Sequence, residues 1–148
     1  MKKPIQPPRY FVICLILIIL FHFVLPIKKI INPPYSYLGI ILVLFGIIIN
    51  LWTDKFFTKF KTDVKYHLKP SKMIVSGPFK ISRNPMYLGM LCILLGVATF
   101  LGSLVTIIPT VIFILIIEIV FIPVEEKNMK KVFGKNYLKY KKRVRKWI

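Results

Sequence analysis

YSYLGIILVLFGIIINLW, residues 35–52, carries no charged side chain over 18 positions, and TDKFFTKFKTDVKYHLKPSK, residues 53–72, follows it with six lysines. As a helix rising 1.5 Å per residue, such a run is about 27 Å long, close to the roughly 30 Å hydrocarbon core of a bilayer. Its abrupt change into basic sequence marks the point where the chain meets water. Working outward from this segment finds three more apolar runs, at 10–27, 86–102 and 103–124. The last two are separated only by Gly102-Ser103, which predicts a tight helical hairpin. The fold class expected is all-α, a polytopic membrane bundle of about four transmembrane helices in one domain covering residues 1–148.

Composition agrees. Of the 148 residues 56% are hydrophobic, yet the formal net charge is +18. A soluble domain could not hide that much apolar surface, and a disordered basic chain would not carry it. Segregation into spans and short basic connections reconciles the two properties. Nucleic acid is excluded as the partner of this charge, because no soluble module is left to bind it. The anionic cytoplasmic leaflet is the natural counterpart.

The basic residues also set an orientation. Three precede the first span (Lys2, Lys3, Arg9) and two follow it (Lys28, Lys29). Eight lie in 54–85, none between the last two spans, and ten in 125–148. By the positive-inside rule both termini, the loop 54–85 and the tail 125–148 are cytoplasmic. The basic start of the first span resembles a signal peptide. FHFVLP at 21–26 offers no small-residue cleavage site, so the expectation is an anchor that stays.

In the tail, Phe133, Tyr137, Tyr140, Val144 and Trp147 recur at steps of four and three among lysines and arginines. That is one apolar stripe on a basic helix, suited to the membrane surface. Gly134 interrupts the pattern and is a candidate cap for the preceding turn.

Few residues carry chemistry. GPFKISRNPMYLG, residues 77–89, leads into the third span, with Pro85 suited to a first helical turn. Arg83 beside the free backbone donors of a helix N-terminus can seat a carboxylate or phosphate, or simply set topology. Tyr87 reads equally as an interfacial anchor, and Gly89 admits either a ligand or a neighbouring helix. Glu125-Glu126 follow the fourth span and are two of only five acidic residues. Glu118, inside that span, lies seven residues earlier and so on nearly the same helix face. An ionisable group there normally faces the bundle interior or a cavity and is a candidate for function, with a neutral, hydrogen-bonded structural role as the equal alternative. His22 reads as interfacial, and His67 has no evident acid partner. Cys14 and Cys92 lie in apolar runs without metal-binding spacing, so no metal is expected.

Taken together, the ordered pieces resemble the isoprenylcysteine carboxyl methyltransferase and phospholipid methyltransferase families of integral membrane enzymes. The shared pattern is the run at 83–89, an apolar hairpin, the Glu125-Glu126 pair, then Phe133-Gly134, Tyr137 and Tyr140. It covers roughly residues 62–148. The resemblance implies methyl transfer from S-adenosylmethionine, without a metal, to a lipid or lipid-like acceptor such as an isoprenylcysteine-type carboxylate or a lipid amine. It places Arg83, Asn84, Tyr87, Leu88, Gly89, Glu125, Glu126 and Tyr137 around the cofactor, with Arg83 and Glu125 as the catalytic candidates. Asn84 stands where eukaryotic carboxyl methyltransferases carry His, so no imidazole acts there. An NADPH-dependent reductase resembling the sterol reductases is the alternative enzyme, and a small membrane scaffold the non-catalytic one. The Glu pair favours the methyltransferase.

Overall fold

The computed structural model describes residues 6–25, 28–60 and 72–148. Lys2, Lys3, His67 and the rest of 61–71 in the middle connection therefore lie outside the described residues. The rest is a helical bundle: α1 (Pro7–Val24), α2 (Leu38–Phe60), α3 (Pro85–Leu101), α4 (Ile107–Ile116) and α5 (Ile122–Arg143). Short 3-10 turns precede α2, α3 and α4, and a π-helical turn, Ile117–Phe121, joins α4 to α5 without a break.

Three helical stretches, Pro7–Val24, Tyr35–Phe60 and Leu104–Arg143, are long and apolar enough to cross a membrane. The shorter apolar helix α3 sits among them and packs against α1, α2 and α4. Position in the bundle follows composition. α3 is rich in small residues, and Gly89, Cys92, Gly96 and Ala98 are buried. The large side chains of α1 and α2, such as Ile16, Phe23, Ile41 and Ile48, stay exposed. In lipid there is no hydrophobic force to hide them; close packing holds the helices together instead. Along α2 and α3, Gly39 faces Gly96 and Gly46 faces Gly89, each at a spacing of seven residues on its own helix. A Cβ at any of the four would collide with the opposite helix. The main core cluster joins Cys14 and Ile18 of α1 to Leu94, Phe113, Ile117 and Ile122.

The expected hairpin is present. Gly102 takes a left-handed conformation (φ 73°) between α3 and the next turn. Its carbonyl accepts hydrogen bonds from the backbone of Ile30 and Ile31 at 2.8 and 3.2 Å, and Ser103 Oγ lies 2.7 Å from His22 Nδ1. These contacts tie the α1–α2 connection to the α3–α4 turn at one end of the bundle. His22 is thus a structural partner at the end remote from Arg83.

Several boundaries shift. α1 starts at Pro7, three residues before the expected start, with proline in its first turn. α2 continues eight residues past Trp52, so 54–60 is helix where a loop was expected. Phe56, Phe57 and Phe60 explain the extension: Phe56 packs under Gly77, and Phe57 meets Phe79 edge-on with ring centroids 5.5 Å apart. The fourth span and the tail form one continuous helical run. Pro123 has no N–H for the Ile119 carbonyl, and the helix widens into its π turn just before it.

Gly134 does more than cap a turn. Its backbone (φ 50°, ψ −122°) is non-helical and open only to glycine. In a straight helix, residues 126 and 141 would stand about 22 Å apart. Glu126 Oε2 and Lys141 Nζ are instead 2.5 Å apart. The chain therefore turns back sharply at Gly134, and Lys141 beyond the turn pairs with Glu126 before it. The apolar stripe exists, but Tyr137 and Tyr140 are buried in protein and do not face lipid.

Candidate functional site

Around Arg83 the fold brings together the connection before α3, both arms of α5 and residues 145–147. Proline at the first position of α3 starts that helix, with Asn84 before it and no side-chain cap. The Asn84 side chain is used elsewhere: Nδ2 donates to the Lys146 carbonyl at 3.0 Å. Ser82, fully buried, donates through Oγ to the same carbonyl at 3.1 Å and accepts from the Asn84 backbone at 3.0 Å. The Arg83 backbone N–H donates to the Arg145 carbonyl at 3.0 Å.

The Arg83 side chain, 8% exposed, points between the two arms of α5. One terminal nitrogen lies 2.6 Å from Glu126 Oε1 and donates to the Tyr137 hydroxyl at 3.3 Å. Glu126 in turn binds Lys141 through Oε2. Arg83 Nε is buried and has no acceptor among the described residues. Tyr140 closes the base of the group, its hydroxyl donating to the Phe79 carbonyl at 2.7 Å.

Glu125 makes a separate pair. It lies one residue past the apolar run that ends at Val124, and its Oε1 accepts from the Tyr87 hydroxyl at 2.5 Å. Burial pushes this carboxyl up to about 7, while the tyrosine bond pulls the other way. Burial also raises Tyr137, helped by Glu126 and opposed by Arg83, and burial raises Tyr140, with Arg83 opposing. One carboxylate is thus neutralised by a guanidinium and an ammonium, and its neighbour is held near the point of taking or losing a proton.

Of the residues read from sequence, Arg83, Glu126 and Tyr137 share one network, Tyr87 and Glu125 a second, and Asn84 links them to the tail. Leu88 and Gly89 do not join these networks. Leu88 packs with Ile49, Cys92 and Trp147, and the space beside Gly89 is filled by Asn50 and the Gly46 carbonyl of α2. Of the two readings of Gly89, the structure gives the neighbouring helix. Glu118 does not act beside Glu125, since the π turn between them shifts the helical register. It pairs instead with Lys146 and accepts from Trp147 Nε1 at 3.1 Å. Cys14 and Cys92 are free and buried, and among the described residues no acid, His and Cys side chains cluster as metal ligands. Ser82, Lys141 and Lys146 were not singled out from sequence. Their roles depend on the fold-back at Gly134, and lysine is too common in this chain to carry a signal.

The family model described as phospholipid methyltransferase matches residues 35–136. A Haemophilus influenzae protein, described only as uncharacterized, is 40% identical over 63 residues, which is 43% of this chain and all of that protein. No solved structure matches.

Proposed function

The chain belongs to the phospholipid methyltransferase family, and on that premise we propose that it transfers a methyl group from S-adenosylmethionine to an acceptor dissolved in the membrane. The observation that carries the proposal is the convergence of Arg83, Asn84, Tyr87, the Glu pair and Tyr137 at one end of the bundle. The residues present suit the cofactor. Arg83 Nε is a buried donor with no acceptor among the described residues, the kind of group that a carboxylate satisfies. Glu125 and Glu126 supply acceptors for ribose hydroxyls or an ammonium group, and Tyr87 and Tyr137 offer aromatic walls. When bound, the cofactor supplies a sulfonium-activated methyl that an acceptor lone pair takes as the methyl–sulfur bond breaks, leaving a thioether. The protein's task is then alignment. Arg83 is held by Glu126 and Tyr137 before any ligand arrives, so its orientation is set in advance. Glu125, poised near neutrality, can receive the proton that an amine acceptor must shed; a carboxylate acceptor would need no such step. The acceptor class is a lipid or lipid-like molecule, reached from the bilayer.

A titration tests this. S-adenosylmethionine and S-adenosylhomocysteine are expected to raise the melting temperature of the detergent-solubilised protein. At a hundredfold excess over Kd the stabilisation is about 2.7 kcal/mol. NADPH is expected to do nothing, and stabilisation by NADPH alone would move the site to the reductases.

We place the site on the cytoplasmic face, where the basic segments 125–148 and 72–85 lie together. Reporter fusions at either terminus should then read cytoplasmic, and one at Lys28-Lys29 external. A cytoplasmic signal at Lys28-Lys29 would reverse that assignment.

A further inference from the structure

We propose that Glu118 is a positioning residue: through Lys146 and Trp147 it holds residues 145–147 as a strap across the 82–84 segment, and the strap keeps the cofactor site closed. The proposal rests on the reading of the site given above.

Glu118 is the one acidic residue in the apolar stretch 104–124. A carboxylate there is costly and needs partners. Both partners come from the strap, the Lys146 ammonium and the Trp147 indole N–H. The π turn, Ile117–Phe121, carries Glu118, and such turns turn one side chain out of the regular helical register.

Strap conformation is not self-supporting. The helix ends at Arg143, and Val144 is extended (φ −120°, ψ 130°), so residues 145–147 depend on what they touch. Lys146 is held at both ends: its ammonium by Glu118, its carbonyl by Ser82 and Asn84. Arg145 supplies the acceptor for the Arg83 backbone. Trp147 packs against both apolar clusters, the one that contains Tyr87 and Met90 and the one that contains Leu88 and Cys92. The strap's backbone carbonyls thus end on Ser82, Arg83 and Asn84. Removing Glu118 leaves an ammonium and an indole N–H without their acceptor beside lipid. Release of the strap then frees the backbone on both sides of Arg83, and the bound cofactor gains a way out.

The chain has two tryptophans, so a Trp52→Phe background leaves Trp147 as the sole indole reporter. In that background Glu118→Ala is expected to shift Trp147 emission to the red and expose it to a soluble quencher. It should also weaken S-adenosylhomocysteine binding at least tenfold, chiefly through faster dissociation. Glu118→Gln keeps an acceptor for the indole and should fall between. The exchange Glu118→Lys with Lys146→Glu restores the ion pair but gives the indole no acceptor, so S-adenosylhomocysteine affinity should recover above that of Glu118→Ala while Trp147 emission recovers only in part, a split that a loss of general stability would not give. Unchanged S-adenosylhomocysteine affinity in well-folded Glu118→Ala overturns the proposal, whether or not the indole moves. No binding by the wild type would instead overturn the reading of the site, and the strap's role toward the cofactor with it. In that case Trp147 emission still decides whether Glu118 holds the strap.

Discussion

Replacing Arg83 with Met is expected to destabilise the protein by about 2–3 kcal/mol and to abolish measurable S-adenosylhomocysteine binding, whereas Arg83→Met combined with Glu126→Gln should recover much of the stability but none of the binding. The guanidinium is 8% exposed and its partner Glu126 18%. Taking away one member of a mostly buried pair leaves the other charge with too little compensation, at about 3–5 kcal/mol where burial is complete. Lys141 stays with Glu126, which places the cost below that range. Arg83→Lys should be intermediate in stability and still poor in binding. A point charge cannot serve Glu126 and Tyr137 together and present a further donor as the guanidinium fork does. Denaturant unfolding in detergent and ligand titration on the wild type, Arg83→Met, Arg83→Lys, Glu126→Gln and the double variant give the comparison. Strictly additive stabilities would show that Arg83 and Glu126 do not act as a pair. Normal affinity in Arg83→Lys would remove the guanidinium from the cofactor site.

The second large effect concerns the α2–α3 contact. Gly46→Ala and Gly96→Ala are each expected to destabilise by about 1–3 kcal/mol, although alanine is intrinsically the better helix former by about 1 kcal/mol. A Cβ at position 46 would stand 2.5 Å from the Gly89 carbonyl oxygen, and one at position 96 would stand 2.6 Å from the Gly39 carbonyl oxygen. Backbone atoms cannot rotate away, so the helices must part, and close packing is what holds helices together in lipid. Gly89→Ala meets the Asn50 amide as its nearest obstacle, and a side chain can move. Asn50→Ala should therefore relieve part of the cost of Gly89→Ala and none of that of Gly96→Ala. Unfolding of these variants, read by helix content against denaturant, checks the order. Stabilisation by Gly46→Ala would mean that the helices do not meet at these glycines.

The apolar runs could be read as membrane helices because a bilayer imposes its thickness on any spanning segment, and the hairpin turn because only Gly102-Ser103 separates two of them. Ends were harder. α2 outruns its apolar stretch because Phe56 and Phe57 pack against the 77–80 turn, a contact between segments some twenty residues apart. The stripe of Tyr137 and Tyr140 was visible as a period, but its destination was not. A helical period says which residues share a face, not whether that face meets lipid or Arg83. The Glu pair was visible too, while the division of labour within it was not: Glu126 neutralises Arg83 and Glu125 binds Tyr87, though they are neighbours in the chain.

The sequence by itself determined the solvent and the class of fold, a basic, all-helical membrane bundle, and the few side chains able to do chemistry in it. Only the tertiary structure decided which of them meet. A single glycine at 134, in a conformation closed to other residues, folds the basic helix back on itself and brings Lys141 within 2.5 Å of Glu126. The π turn before Pro123 directs Glu118 to Lys146 and Trp147 and away from Glu125. Periodicity follows from the local backbone and can be read along a chain. A break in the backbone changes the direction of everything after it, and the resulting pairs depend on distances that no local pattern contains.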